Sequence, residues 1–296
     1  MNKNILVIIC LFATMNLFEL KAEEPRSYQV GEYSIYVLTE NEGQGNIKIL
    51  IDAPKEVTDE YTPDGTFPNA VHAIVIKKQD EIWLVDTGFG RNIFTQMESI
   101  GISPENVDHV LLTHMHGDHI GGMLREDKPA FQNADVTVSE NEQKYWGSEE
   151  KMMEMPENRR GNFLSAQNVF RQYGDKVKIQ QPYDINSKFT DGIHMLEAYG
   201  HTPGHVMYLI QDGEDKLLIW GDLTHALAIQ MPHPEISVTY DIDPDMARNS
   251  RLKVLEYVAK NKIKIAGMHV PYSGVGEIGK SETSNGYTFS AIPGLP

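Results

Sequence analysis

The segment Thr113-His114-Met115-His116-Gly117-Asp118-His119 places three imidazoles and a carboxylate within six consecutive positions. Side chains of these two types together suit zinc, and borderline ions such as iron, manganese or cobalt less exclusively. Gly117 lets a turn fold back tightly, so that residues two apart need not point to opposite faces. Taken alone, the run also fits a histidine-rich surface turn. It has company further along the chain. His201 and His205 lie in Gly200-His201-Thr202-Pro203-Gly204-His205, Asp222 follows Trp220-Gly221, and His269 lies in Gly267-Met268-His269-Val270-Pro271. Asp222 ends an apolar run, Leu217–Trp220, where a carboxylate without a compensating partner is costly to bury. Polar, metal-competent residues at four separate strand ends point to one metal-dependent site rather than to four unrelated surface features.

The elements that must position these residues are legible from period and punctuation. Strands are expected at Ser34–Leu38, Lys48–Ile51, Val71–Lys77 and Glu81–Asp86, the last two joined by the polar turn Lys78-Gln79-Asp80. A helix pattern runs from Asn92 to Ile100 and stops at Gly101, and the strand Val107–Thr113 then delivers the histidine run. Glu140–Tyr173 reads as mostly helical. Strands resume at Val177–Ile179, His194–Glu197, Val206–Gln211, Lys216–Trp220 and Ile263–Ala266. Asp243-Pro244 reads as a helix cap and first-turn proline, with Leu252, Leu255 and Val258 as the apolar stripe. Two β-rich halves, each followed by helices, imply an α/β fold. Two mixed sheets pack face to face with helices outside, an αββα sandwich.

Composition narrows the partners. The 296-residue chain carries a formal net charge of -16 with no cluster of Lys and Arg beyond Arg159-Arg160, so a nucleic-acid partner is not expected. The start, Met1-Asn2-Lys3-Asn4 followed by apolar Ile5–Phe18, has the layout of a secretory signal peptide ending near Ala22. That apolar run is short for a membrane span, so no stable membrane anchor is expected. The expected organisation is a signal over residues 1–22 and one hydrolase domain over 23–296, exported to the periplasm or secreted. The single cysteine, Cys10, lies within that signal.

The motif set resembles the metallo-β-lactamase superfamily: His-x-His-x-Asp-His, a later Gly-His-Thr-Pro-Gly-His, a Gly-Asp and a last His, in order from Val71 to Tyr272. Trp220-Gly-Asp-Leu-Thr-His225 and Met268-His-Val-Pro-Tyr-Ser-Gly-Val-Gly276 are most similar to the methyl parathion hydrolase and N-acyl homoserine lactone lactonase branch. The resemblance implies two divalent ions, zinc by preference. His114, His116 and His201 would hold the first, Asp118, His119 and His269 the second, and Asp222 would bridge. It also implies His205 and Asp86 as supports behind the ligands. Asp86 reads equally as a strand-terminal turn carboxylate. Trp146, Phe163 and Phe89 correspond to pocket-lining aromatics of the same relatives, and they read equally as core residues.

Two such ions generate a hydroxide near neutral pH and polarise a carbonyl or phosphoryl oxygen. The expected activity is hydrolysis of a lactone or ester, with phosphotriester cleavage as a side activity. Asp118 and His225 are the catalytic candidates. His225 stands where related lactonases place a tyrosine, which leaves open whether it protonates a leaving group or lines the pocket. A surface this acidic favours a small, neutral, partly apolar substrate, and a homodimer is the expected assembly. Other readings are a β-lactamase, a thioester hydrolase of the glyoxalase II type, and a metal- or ligand-binding module without turnover.

Overall fold

The computed structural model describes residues 25–295, so the expected signal peptide and Cys10 lie outside the described residues. The chain runs β1 (Arg26–Val30), β2 (Tyr33–Asn46), α1 (Lys55–Tyr61), β3 (Thr66–Lys78), β4 (Glu81–Val85), α2 (Ile93–Ser99), β5 (His109–Leu111) and α3 (Gly117–Ile120). A two-residue hairpin follows, β6 (Leu124–Arg125) and β7 (Lys128–Pro129), then β8 (Asp135–Ser139), α4 (Glu140–Trp146), α5 (Glu149–Glu154), α6 (Gly161–Tyr173) and β9 (Val177–Gln180). The second half contributes β10 (Gly192–Glu197), β11 (Val206–Asp212), β12 (Asp215–Ile219), α7 (Leu227–Gln230), α8 (Pro244–Asn261), β13 (Lys264–Ala266), β14 (Val275–Lys280) and β15 (Tyr287–Ala291).

Both large sheets are mixed. The first has the order β1-β2-β3-β4-β5-β8-β9, antiparallel up to β4 and parallel from β4 onward. The second has the order β10-β11-β12-β13-β14-β15, with only the β12–β13 pair parallel. Period-two alternation explains how they stack. In β3, Ile74 and Ile76 face an inter-sheet core that includes Tyr208, Ile210, Leu217 and Ile219 of the second sheet. Their neighbours Ala73 and Val75 face the outer side, packed with Ile93, Met97, Trp146 and Phe163 of the helices. In β11 and β12, Met207, Leu209 and Leu218 turn outward onto Val254, Leu255 and Val258 of α8. Strands covered on both faces need near-continuous apolar sequence, and these have it. The result is the expected αββα sandwich.

Helix α8 starts as its sequence indicates. The Asp243 side chain accepts the Met246 N–H and Pro244 occupies the first turn. Its inward stripe is Ala247, Arg251, Val254, Leu255 and Val258, whereas Leu252, expected inward, faces solvent. The expected strand Lys48–Ile51 is a 3-10 turn over Ile47–Ile49. The Asn46 side chain accepts the Lys48 N–H, and a local bond of this kind competes with a ladder. Strand β8 and the β14–β15 hairpin have no counterpart in the expected set. They are short, and β14 carries two glycines, which weakens its strand signature.

Candidate metal centre

Every candidate ligand follows the end of a strand, His114, His116, His201, Asp222 and His269 in loops and Asp118 and His119 in the short helix α3. Just past β4, Asp86 has a φ of 56°, a left-handed conformation that Asp tolerates. Its buried carboxylate accepts the Thr113 N–H at 2.8 Å and the Thr113 hydroxyl at 2.7 Å, and lies 2.7 Å from His119 Nδ1. That fixes the loop after β5 and leaves His119 Nε2 facing inward, the usual division of labour in an imidazole ligand. His201 and His269 are held the same way. His201 Nδ1 lies 3.0 Å from Asp241 Oδ1, and His269 Nδ1 lies 2.8 Å from the Ala70 carbonyl. His205 turns both nitrogens to other work, with Nδ1 on the Ala198 carbonyl and Nε2 accepting the Asp222 N–H.

The inward-facing atoms form two groups joined by Asp222. His116 Nδ1 is 3.0 Å from both His114 Nε2 and His201 Nε2, and Asp222 Oδ2 stands 3.7 and 3.3 Å from those two. In the second group, Asp118 Oδ2 is 3.8 Å from His119 Nε2 and 3.5 Å from His269 Nε2. Asp222 reaches this group too, with Oδ1 3.2 Å from His119 Nε2 and Oδ2 3.2 Å from His269 Nε2. Donors about 2.1 Å from a shared tetrahedral ion stand roughly 3.4 Å apart, which is the spacing found here.

Electrostatics favour a cation at this place. Burial works against charge on His119, His201 and His269. Even so, Asp222, with Asp86, Asp241 and Asp118, raises all three above the ordinary imidazole value, His201 to about 9. Burial, and then neighbouring imidazoles, hold His114 and His116 well below it. The carboxylates therefore call for positive charge that crowded imidazoles cannot all supply as protons. His119 Nε2 and Asp222 Oδ1 are buried and face each other without an aligned hydrogen bond. Atoms meant to share an ion rather than a proton have this arrangement. The residues fit a divalent metal.

His225 lies at the heart of the cluster. Its Nε2 is 3.1 Å from Asp222 Oδ2, its ring stacks on His269 at 4.7 Å, and its Nδ1 is buried without a partner. The expected pocket aromatics need correction. Trp146 and Phe163 are 3% and 2% exposed and pack on each other at 4.7 Å within the helix–sheet core, so neither presents a free face to substrate. Trp146 meets the site only through His116, the two ring centroids 5.5 Å apart and the planes at 72°. Phe89 is exposed, beside the loop bearing Asp86. Sequence reasoning passed over Tyr240, an exposed aromatic 5.7 Å from the His225 ring. It also passed over Asp241, Glu142 and Arg251. Arg251 is buried in α8 and donates to the carbonyls of Leu223, Pro234 and Ile236, which fastens the loop carrying His225. The nearest sequence cue is Asp243-Pro244, two positions past Asp241, and it marks the cap of α8 rather than a ligand support.

Residues 66–269 match the family model of the metallo-beta-lactamase superfamily, and the chain belongs to that superfamily. It is 31% identical over 157 residues to the probable metallo-hydrolase YybB of Bacillus subtilis (strain 168), over 52% of this chain. That alignment spans 61% of the relative's length. An N-acyl homoserine lactonase of Bacillus cereus is 24% identical over 231 residues, covering 77% of this chain and 76% of the lactonase. Among solved structures, the dizinc quorum-quenching lactonase AidC superposes with a TM-score of 0.81 at 25% identity, over 93% of this chain and 99% of that one. The hydrolase AbOPH of the beta lactamase superfamily gives 0.81 at 26% identity, over 92% and 99%. Its clustered histidines and aspartates suit a divalent metal, and the relatives it resembles include metallo-hydrolases.

Proposed function

We propose that the chain is a binuclear hydrolase, zinc-loaded, that opens a lactone or cleaves an ester of a small, neutral, partly apolar molecule. The observation that carries this reading is Asp222, whose carboxylate stands within ligand distance of both imidazole groups. Bound there, a pair of divalent ions supplies a Lewis acid for the scissile carbonyl and an acidified water for attack. The chain's own residues do the rest. Asp118 and His116, both partly exposed, mark the open side of the cluster, while the remaining ligands are buried. His225 is held neutral by burial, with its pKa down to about 4. Its Nε2, 3.1 Å from Asp222 Oδ2, places it beside the ligands, where it can line the substrate space or hydrogen-bond a leaving group. Tyr240 and Phe89 offer exposed aromatic faces next to the ligand loops for the apolar part of a substrate.

The lactone assignment is supported by the likeness to the Bacillus cereus lactonase and to AidC. The formal charge of -16 disfavours polyanionic substrates. Export is part of the same proposal and is supported by the cationic and then apolar start of the sequence. The test is a panel of an acyl-homoserine lactone, an aryl ester, a phosphotriester and a chromogenic β-lactam on metal-quantified protein. Chelator-sensitive turnover should be highest on the lactone or ester. Turnover confined to the β-lactam, or none at full metal occupancy, would reject the substrate assignment.

A further inference from the structure

Ser139-Glu140-Asn141-Glu142 opens α4 with the pattern Ser-x-x-Glu. In such a capping box the Glu side chain reaches back to the cap residue's own N–H. Only half of that box forms. The Ser139 hydroxyl accepts the Glu142 N–H at 3.3 Å, but the Glu142 carboxylate turns away from the cap residue. It is 1% exposed and collects four donors, three from two other loops and one from Trp146 at the end of the same helix. Oε2 accepts the Met115 N–H at 3.0 Å and the Trp146 indole N–H at 2.7 Å. Oε1 accepts the Gly204 N–H at 2.9 Å and the Thr202 hydroxyl.

Those donors flank the first imidazole group from both sides. Met115 lies between His114 and His116, Thr202 follows His201, and the Trp146 ring meets the His116 ring edge-on at 5.5 Å. The two loops come from different sheets, one after β5 and the other before β11. The packing around the carboxylate confirms how closely the second loop is seated. A Cβ on Gly204 would stand 2.2 Å from the Glu142 nitrogen and 2.6 Å from Ser139 Oγ, and that hydroxyl also donates to the Gly204 carbonyl. We propose that Glu142 is a positioning residue that clamps the two ligand loops together and so sets the spacing of His114, His116 and His201 around one ion. The inference rests on the metal-binding part of the proposed function and not on any substrate.

The hydrogen-bond inventory makes the clamp specific for a carboxylate. Three of the four partners are N–H groups that can only donate. Gln has the same shape but must turn its NH2 toward one pair of them. In one flip it meets Met115 and Trp146 N–H, and in the other it meets Gly204 N–H with Thr202 able to reverse. Either way at least one donor faces a donor in a buried place, where unmade bonds are costly.

The experiment is a cobalt(II) titration of full-length, metal-free protein as wild type and Glu142→Gln. Chelator competition gives the stepwise dissociation constants, and the visible absorption of each step reports its ligand geometry. For Glu142→Gln one step should weaken about 10–100-fold with an altered absorption band, and the other should keep its constant and its spectrum. A merely structural role would lower the melting temperature of the metal-free protein and leave both steps and both spectra as in wild type. That result overturns the proposal. Should Glu142→Gln not fold, Thr202→Val removes a single donor and should weaken the same step in the same direction, and wild-type constants there overturn it equally. No substrate enters the measurement, so failure of the lactone assignment leaves this test unaffected.

Discussion

His205 Nε2 accepts the backbone N–H of Asp222 at 2.9 Å, so the second histidine of the Gly-His-Thr-Pro-Gly-His segment seats the carboxylate that joins the two ligand groups. Its other nitrogen is committed to the Ala198 carbonyl at 3.0 Å, which fixes the tautomer. His205→Ala should therefore weaken metal binding about 10–100-fold without removing a ligand. Metal retained after dialysis against graded chelator would measure it. The loss should spread over both ions, because Asp222 faces both groups.

Trp146 tests the correction made to the pocket. A buried aromatic truncated to Ala typically costs about 3–5 kcal/mol. Trp146→Ala should lose stability of that order, read by chemical denaturation. It should also depress turnover of large and small substrates alike, because a core residue acts through the scaffold and not through the substrate's apolar part. A loss confined to long-chain or aryl substrates would return Trp146 to the pocket wall.

The ligand residues stand out in the sequence because rare residue types crowd together after apolar strands. The αββα layering is visible for a related reason, since strands covered on both faces must be apolar throughout. The supports behind the ligands are less legible. Asp241 holds a ligand 40 positions away and Glu142 joins loops 27 and 62 positions away, and neither residue type nor local spacing announces such contacts. His269 Nδ1 is held by a backbone carbonyl, which has no side-chain signature at all. Trp146 and Phe163 show a further limit: an aromatic on a helix near a ligand motif looks the same whether it faces a substrate or the sheet beneath.

Far from the ligands, His109 begins β5 with Nδ1 2.8 Å from Asp135 and Nε2 3.1 Å from Glu81, and it stacks on Trp83. Partial burial lowers its proton affinity, but the two carboxylates outweigh this and raise its pKa above the ordinary value. A raised folded-state value stabilises the fold in full below the unfolded pKa of about 6.5, and that contribution disappears as pH rises through the folded value. The pair is partly solvated, so the effect should stay under about 1 kcal/mol, or roughly 2–4 °C in melting temperature. His109→Gln should melt below wild type at pH 5.5, with the gap narrowing by pH 9. A gap that widens with pH would reverse the sign.

The account stands on one carboxylate shared by two ions, and metal stoichiometry tests it most directly. Elemental analysis of protein equilibrated with zinc should find about two ions per chain. Asp222→Asn should lose occupancy of both sites together, whereas His269→Ala should empty mainly one. One ion per chain at saturating zinc, or an Asp222→Asn protein that keeps one site at wild-type affinity, would contradict a shared binuclear centre.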